Sequence, residues 1–208
     1  VAMPGGCNIG ARKIDMHILG LEALGVEFKV EHGNIHASAP HGITGETVSL
    51  AFASVGATEN LMMASVFAKG VTVIDNAARE PEIVDLATML NKMGANIQGA
   101  GSPVIEIHGV TELHPIEHEV VGDRIEAGTF LAIGALTGEP ITVHGFEPNH
   151  LGLVLKKYEQ MGITIETGDR WARASRQQDL KAIDIQTLPF PGFPTDMQAQ
   201  TMTLLALA

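Results

Sequence analysis

An eight-residue pattern recurs three times along the chain, and it limits the fold more than any other feature. The copies are Leu21-Glu22-Ala23-Leu24-Gly25-Val26-Glu27-Phe28, Leu90-Asn91-Lys92-Met93-Gly94-Ala95-Asn96-Ile97 and Tyr158-Glu159-Gln160-Met161-Gly162-Ile163-Thr164-Ile165. Their glycines stand at 25, 94 and 162, a period of just under seventy residues. Each closes a helical pattern, where a left-handed glycine ends a helix at little steric cost. Each is followed by alternating side chains, the signature of a half-buried strand. A second phase agrees. Gly70-Val71-Thr72-Val73-Ile74-Asp75 aligns loosely with Gly138-Glu139-Pro140-Ile141-Thr142-Val143, and the two runs lead to Glu80-Pro81 and Glu147-Pro148. A period this long excludes the common short solenoids.

The spacing predicts a helix over 57–69 closed by Gly70, a strand over 71–76, and a helix over 82–93 with Pro81 in its first turn. Strands follow at 96–98 and 104–108. The next unit repeats this with a helix over 128–136, a strand over 141–144, a helix over 149–161 and further strands. A last helix is expected over 196–208. Helices alternating with strands indicate α/β packing of sheets against helices. Most Leu, Ile and Met residues therefore belong to the core.

Composition narrows the function. The 208 residues are 45% hydrophobic and only 4% aromatic, so the core is aliphatic. The formal net charge of −11 argues against nonspecific nucleic-acid binding, which needs a basic face to displace counterions. A few local arginines can still hold an anionic small molecule. The single cysteine excludes an intrachain disulfide and fits a reducing compartment. No apolar run reaches the roughly 18 residues of a membrane helix, and a cytoplasmic location is expected. The chain starts at Val1 inside a glycine-rich loop and stops within a helical pattern, so an internal piece of a longer protein is expected.

That loop, Pro4-Gly5-Gly6-Cys7-Asn8-Ile9-Gly10-Ala11-Arg12, carries the one thiol. A cation near an accessible cysteine favours the thiolate. The histidines show no His-Glu-x-x-His or paired Cys/His spacing, so no metal site is expected. There is no ATPase-type phosphate loop and no dinucleotide fingerprint, and no cofactor is expected.

Five segments together resemble UDP-N-acetylglucosamine 1-carboxyvinyltransferase. They are the Pro4–Arg12 loop, Ser54-Val55-Gly56-Ala57-Thr58, the run from Asn76 through Arg79-Glu80-Pro81 to Asp85, Asp123-Arg124-Ile125-Glu126-Ala127-Gly128-Thr129-Phe130, and Phe193-Pro194-Thr195-Asp196-Met197-Gln198-Ala199-Gln200. The resemblance covers essentially the whole chain. It implies repeated βαβαββ units of the enolpyruvyl-transferase fold, an inside-out α/β barrel. Residues 1–121 would be the C-terminal part of a first domain, and 122–208 the N-terminal part of a second, truncated one. The segments missing on either side would carry a lysine, an asparagine and several phosphate-binding arginines.

The implied reaction moves the enolpyruvyl group of phosphoenolpyruvate to the 3-hydroxyl of UDP-N-acetylglucosamine and releases phosphate. The resemblance makes Cys7 the proton donor, able to form a covalent adduct, and Asp196 the base or proton relay beside the sugar hydroxyl. It assigns Arg12, Lys13, Ile14, Asp15 and Met16 to the uridine nucleotide. Ser54, Val55 and Gly56 fall in the diphosphate and uridine region, and Thr195 joins the sugar side. Lys13 stands where the family commonly has proline, and Phe52 where some members have lysine. Arg79, Glu80, Glu82, Arg124 and Glu126 are expected to position loops and helix starts. Plainer roles remain open: a surface charge for Arg12, an ordinary turn for the glycines, and helix capping for Ser54, Thr195 and Asp196.

Two other functions compete. The related shikimate-pathway synthase shares fold and reaction but lacks the Pro-Gly-Gly-Cys loop. A nucleotide-sugar-binding module without catalysis would need only part of the site. The isolated 208 residues are expected to be inactive, because catalysis needs a cleft between two complete domains. No membrane partner is expected.

Overall fold

A computed structural model describes residues 1–2 and 14–208. The chain divides into two compact units, Val1–Glu119 and Val120–Ala208.

The first unit opens with α1 (Asp15–Ala23), followed by the hairpin β1 (Glu27–Glu31) and β2 (Asn34–Ser38). Then come β3 (Thr47–Ser49), α2 (Val55–Ser65), β4 (Val71–Asp75), α3 (Pro81–Lys92), β5 (Asn96–Gln98) and β6 (Val104–His108). This is one βαβαββ unit. Its sheet runs β3-β4-β6-β5. β3 and β4 are parallel, as a strand-helix-strand crossover requires, and the other pairs are antiparallel. One face of the sheet is buried: Thr72 and Ile74 on β4, Ile105 and Ile107 on β6. Ile83, Ala87 and Leu90 of α3 recur at helical spacing and belong to the same core.

The second unit holds α4 (Arg124–Thr137), β7 (Ile141–His144), α5 (Gly152–Gln160), β8 (Thr164–Gly168), β9 (Trp171–Ser175) and α6 (Gln198–Leu205). Its antiparallel sheet runs β7-β9-β8, which repeats the order β4-β6-β5 of the first unit. α4 packs close to β9 because the facing residues are small. A β-carbon on Gly134 would lie 2.6 Å from the Ala174 carbonyl oxygen. Among the described residues the sheets are open, and none closes into a barrel.

The three-fold sequence pattern has one structural cause. Gly25, Gly94 and Gly162 all have positive φ, at 94°, 110° and 91°. After α1, the amides of Gly25 and Val26 donate to the carbonyls of Glu22 and Leu21. After α3, Gly94 and Ala95 donate to Asn91 and Leu90; after α5, Gly162 and Ile163 donate to Glu159 and Tyr158. Each is a Schellman cap, and each turns the chain from a helix into a strand.

Four predicted boundaries are corrected. α2 ends at Ser65 and not at 69, because the Lys69 backbone pairs elsewhere: its amide donates to Ile43 O (2.8 Å) and its carbonyl accepts from Gly45 (2.9 Å). Gly70, with φ 95°, therefore leads into β4 and does not cap α2. α4 starts four residues before the expected 128, because Asp123 caps it. Asp123 Oδ1 accepts from the amides of Ile125 (2.8 Å) and Glu126 (3.1 Å). The helix expected over 149–161 is a 3-10 turn at Pro148–Leu151 followed by α5. The last helix likewise begins as a 3-10 turn, Thr195–Met197, before α6.

Candidate functional site

Cys7, Arg12 and Lys13 lie outside the described residues. Ile14, Asp15 and Met16 form the start of α1. Ile14 is its N-cap and makes no side-chain capping bond, and its carbonyl accepts from Ile18 (3.0 Å). Asp15 is exposed in the first turn, where a carboxylate suits the positive end of the helix. Met16 is half-buried against the first core.

Ser54 is the N-cap of α2: its Oγ accepts from the Ala57 amide at 3.3 Å. The plainer capping role therefore holds for this side chain. Its occupation leaves the next two donors open. The amides of Val55 and Gly56 meet no acceptor among the described residues. Two backbone N–H groups at a helix start favour an anion. Phe52, just before them, is 61% exposed.

The structure brings the start of α1 to the start of α2. Asn60 Nδ2 stands 2.6 Å from His17 Nδ1, within hydrogen-bond distance. The His17 ring lies over Gly56, where an added β-carbon would be 3.3 Å from Cε1. One turn along α1, Gly20 leaves room for Leu61, whose Cδ2 is 2.7 Å from the position a β-carbon would take. Each helix thus carries a glycine that receives a side chain of the other. His17, which follows the predicted nucleotide residues Asp15 and Met16, is thereby set against Gly56 of the predicted phosphate segment.

The run from Asn76 to Asp85 packs onto the same helix. The Ala78 amide donates to Thr58 Oγ1 (3.0 Å), and both residues are fully buried. Glu80 is buried before α3, and its Oε2 accepts from the Arg79 amide (2.9 Å). Burial pushes the Glu59 carboxyl above the ordinary range, and the carboxylates of Glu82 and Glu80 add to the shift. His118 Nε2 pairs with Asp85 Oδ1 at 3.0 Å and ties the end of this unit to α3.

In the second unit, Thr195 and Asp196 are exposed on the 3-10 turn ahead of α6. Neither makes a side-chain capping bond. The Asp196 carboxylate accepts no hydrogen bond from the described residues and is left to act as an acceptor. The next residue anchors it: Met197 is fully buried, and its Cε lies 2.8 Å from where a β-carbon on Gly128 would sit. Gln200 Nε2 donates to Thr129 Oγ1 (2.8 Å) and holds α6 to α4. Arg124 is buried, with its guanidinium 5.5 Å from the Phe190 ring centre, a cation–π contact. A cleft of about 380 Å³ lies along α6, lined by residues including Ile185, Phe193, Gln198 and Met202, but not by Thr195 or Asp196.

Sequence reading missed three features of these surfaces. Asp123 with Glu126 was a legible capping signal. The His17–Asn60 bond and the Gly20–Leu61 contact had no local signal. No group of three or more His, Cys, Asp or Glu residues suited to a metal ion occurs among the described residues. No helix among them is long and apolar enough to cross a membrane.

This architecture is that of the enolpyruvyl transferases. The structure of the enolpyruvyl transferase NikO from Streptomyces tendae superposes with a TM-score of 0.83 at 22% identity, over 96% of this chain and 50% of that one. An EPSP synthase from Acinetobacter baumannii gives 0.63 at 20% identity, over 98% and 46%. The chain belongs to the family described as EPSP synthase (3-phosphoshikimate 1-carboxyvinyltransferase), which matches residues 1–208. Among curated relatives, UDP-N-acetylglucosamine 1-carboxyvinyltransferase 1 of Symbiobacterium thermophilum is 55% identical over 208 residues, and that of Staphylococcus aureus strain MRSA252 is 52% identical. These alignments cover 100% of this chain but 47% and 49% of the relatives. The chain spans about half the length of the curated relatives it matches.

Proposed function

We propose that the complete protein transfers the enolpyruvyl group of phosphoenolpyruvate to the 3-hydroxyl of UDP-N-acetylglucosamine, the first committed step of peptidoglycan synthesis. The observation that carries this reading is the 52–55% identity, over the whole chain, to proteins named for that reaction. The Pro4–Arg12 loop adds to it, since the shikimate-pathway relative lacks that cysteine loop. In this reading residues 1–121 end the first domain and 122–208 begin the second. The protein works in the cytoplasm and binds no nucleic acid or membrane.

The chemistry is addition followed by elimination. The sugar 3-oxygen bonds to C2 of phosphoenolpyruvate while a proton reaches its methylene carbon, which becomes a methyl group. Asp196 takes the hydroxyl proton, and Cys7 supplies the carbon-bound one. The tetrahedral ketal then loses phosphate from C2 and a proton from the methyl group, which restores the double bond. In the alternative covalent route the Cys7 thiol gives its proton to the methylene carbon and its sulfur bonds to C2, replacing the carbon–carbon π bond and holding phosphoenolpyruvate as an adduct. Arg12 holds an anionic oxygen through its planar fork. Lys13, Ile14, Asp15 and Met16 take the uridine end. Val55 and Gly56 offer their amides to the diphosphate, Ser54 holds that turn in shape, and Thr195 sits beside Asp196.

The test is acceptor choice. The complete protein should release phosphate from phosphoenolpyruvate with UDP-N-acetylglucosamine and not with shikimate 3-phosphate. Turnover with shikimate 3-phosphate alone would overturn the reading.

A further inference from the structure

We infer that His17 and Asn60 form a positioning pair that sets the start of α1 against the start of α2 and so shapes the nucleotide-sugar end of the site. This rests on the proposed binding of UDP-N-acetylglucosamine by these two helix starts. Neither residue belongs to the binding set above.

Geometry carries the inference. The Asn60 side-chain amide nitrogen Nδ2 stands 2.6 Å from His17 Nδ1, within hydrogen-bond distance. The ring edge faces Gly56, with Cε1 and Nε2 3.3 and 3.6 Å from the position of an added β-carbon. Gly56 and Asn60 stand four residues apart on α2 and share one face. His17 is therefore clamped along the first two turns of α2, against one residue and bonded to the other. The Gly20–Leu61 contact sets the distance between the helices. Apolar contact is non-directional and tolerates rotation. The His17–Asn60 bond is directional, and it lies next to Asp15 and Met16 on one helix and the open Val55 and Gly56 amides on the other. A turn of α1 about its axis would move the first pair relative to the second.

The pair can be broken gently, because Asn60 is exposed and Asn60→Ala opens no core cavity. In the complete protein, His17→Ala and Asn60→Ala should each raise KM for UDP-N-acetylglucosamine about five- to tenfold, the effect of losing one net hydrogen bond. KM for phosphoenolpyruvate and kcat should change by less than about twofold. The double variant should be no worse than either single one, because the two residues act as one unit. His17→Asn places a side-chain amide, which can accept or donate, where Nδ1 stands and should restore KM to within about twofold.

Unchanged KM for UDP-N-acetylglucosamine in both alanine variants would overturn the inference. So would a parallel rise in both KM values with a lowered Tm, which is the mark of a merely structural role. If the unaltered complete protein shows no turnover with UDP-N-acetylglucosamine, the functional reading fails and takes this inference with it. If it turns over normally and the variants match it, only the inference fails.

Discussion

The Ala78 amide donates to Thr58 Oγ1 across 3.0 Å, and both residues are fully buried. This bond joins α2, whose first turn carries the predicted phosphate amides, to the loop that leads into α3. Thr58→Val keeps the shape but removes the acceptor, leaving a buried N–H without a partner. It should cost about 1–3 kcal/mol of stability. Urea denaturation of the complete protein checks this, and an unchanged midpoint would show that the bond contributes nothing.

Ser54 separates capping from ligand binding. Asp caps a helix as well as Ser does, and its charge suits the helix N-terminus. Ser54→Asp should therefore hold stability within about 1 kcal/mol. The same charge repels a diphosphate at the Val55 and Gly56 amides. KM for UDP-N-acetylglucosamine should rise by about tenfold or more, a modest like-charge penalty. Steady-state kinetics beside a thermal melt decide it; equal KM values would place the diphosphate elsewhere.

Glu59 gives a pH dependence with a definite sign. Burial raises its carboxyl, with Glu82 and Glu80 adding to the shift, so the folded state holds the proton more tightly than the unfolded state. Stability linked to this group is full at pH below its ordinary value and falls as pH rises through the raised one. Glu59→Gln should therefore stabilise the protein near neutrality and not in acid. Denaturation midpoints at the two pH values test this, and a gain in acid alone would reverse the sign.

Cys7→Asp retains an acidic proton donor but removes the thiol. The variant should keep measurable turnover, lose labelling by thiol reagents at position 7, and form no covalent adduct with phosphoenolpyruvate. Peptide mapping after alkylation reads this directly. A thiol adduct elsewhere that blocks activity equally would remove Cys7 from its role.

The repeat was legible because glycine is needed where φ is positive. Gly25, Gly94 and Gly162 each meet that need, and the same two cap bonds follow each helix. β5, β6 and β7 were legible from alternation. The end of α2 was not, because Lys69 is drawn into pairing with residues 43–45, a tertiary demand that helix periodicity does not encode. The start of α4 was legible in Asp123, but the apolar run alone suggested a later start. Among the site residues, Ser54 announced itself as a cap. The contact between α1 and α2 did not, since His17 and Asn60 are 43 residues apart and no local pattern links them. Asp196 stood out only through resemblance. Its local sequence suits a cap, yet its carboxylate caps neither the 3-10 turn nor α6.

The most direct measurement is the identity of the product. The complete protein, given phosphoenolpyruvate and UDP-N-acetylglucosamine, should yield the enolpyruvyl ether at the sugar 3-oxygen, with one phosphate released per ether formed. Asp196→Asn should abolish both together. Phosphate release without the sugar ether, or full ether formation by Asp196→Asn, would contradict the account.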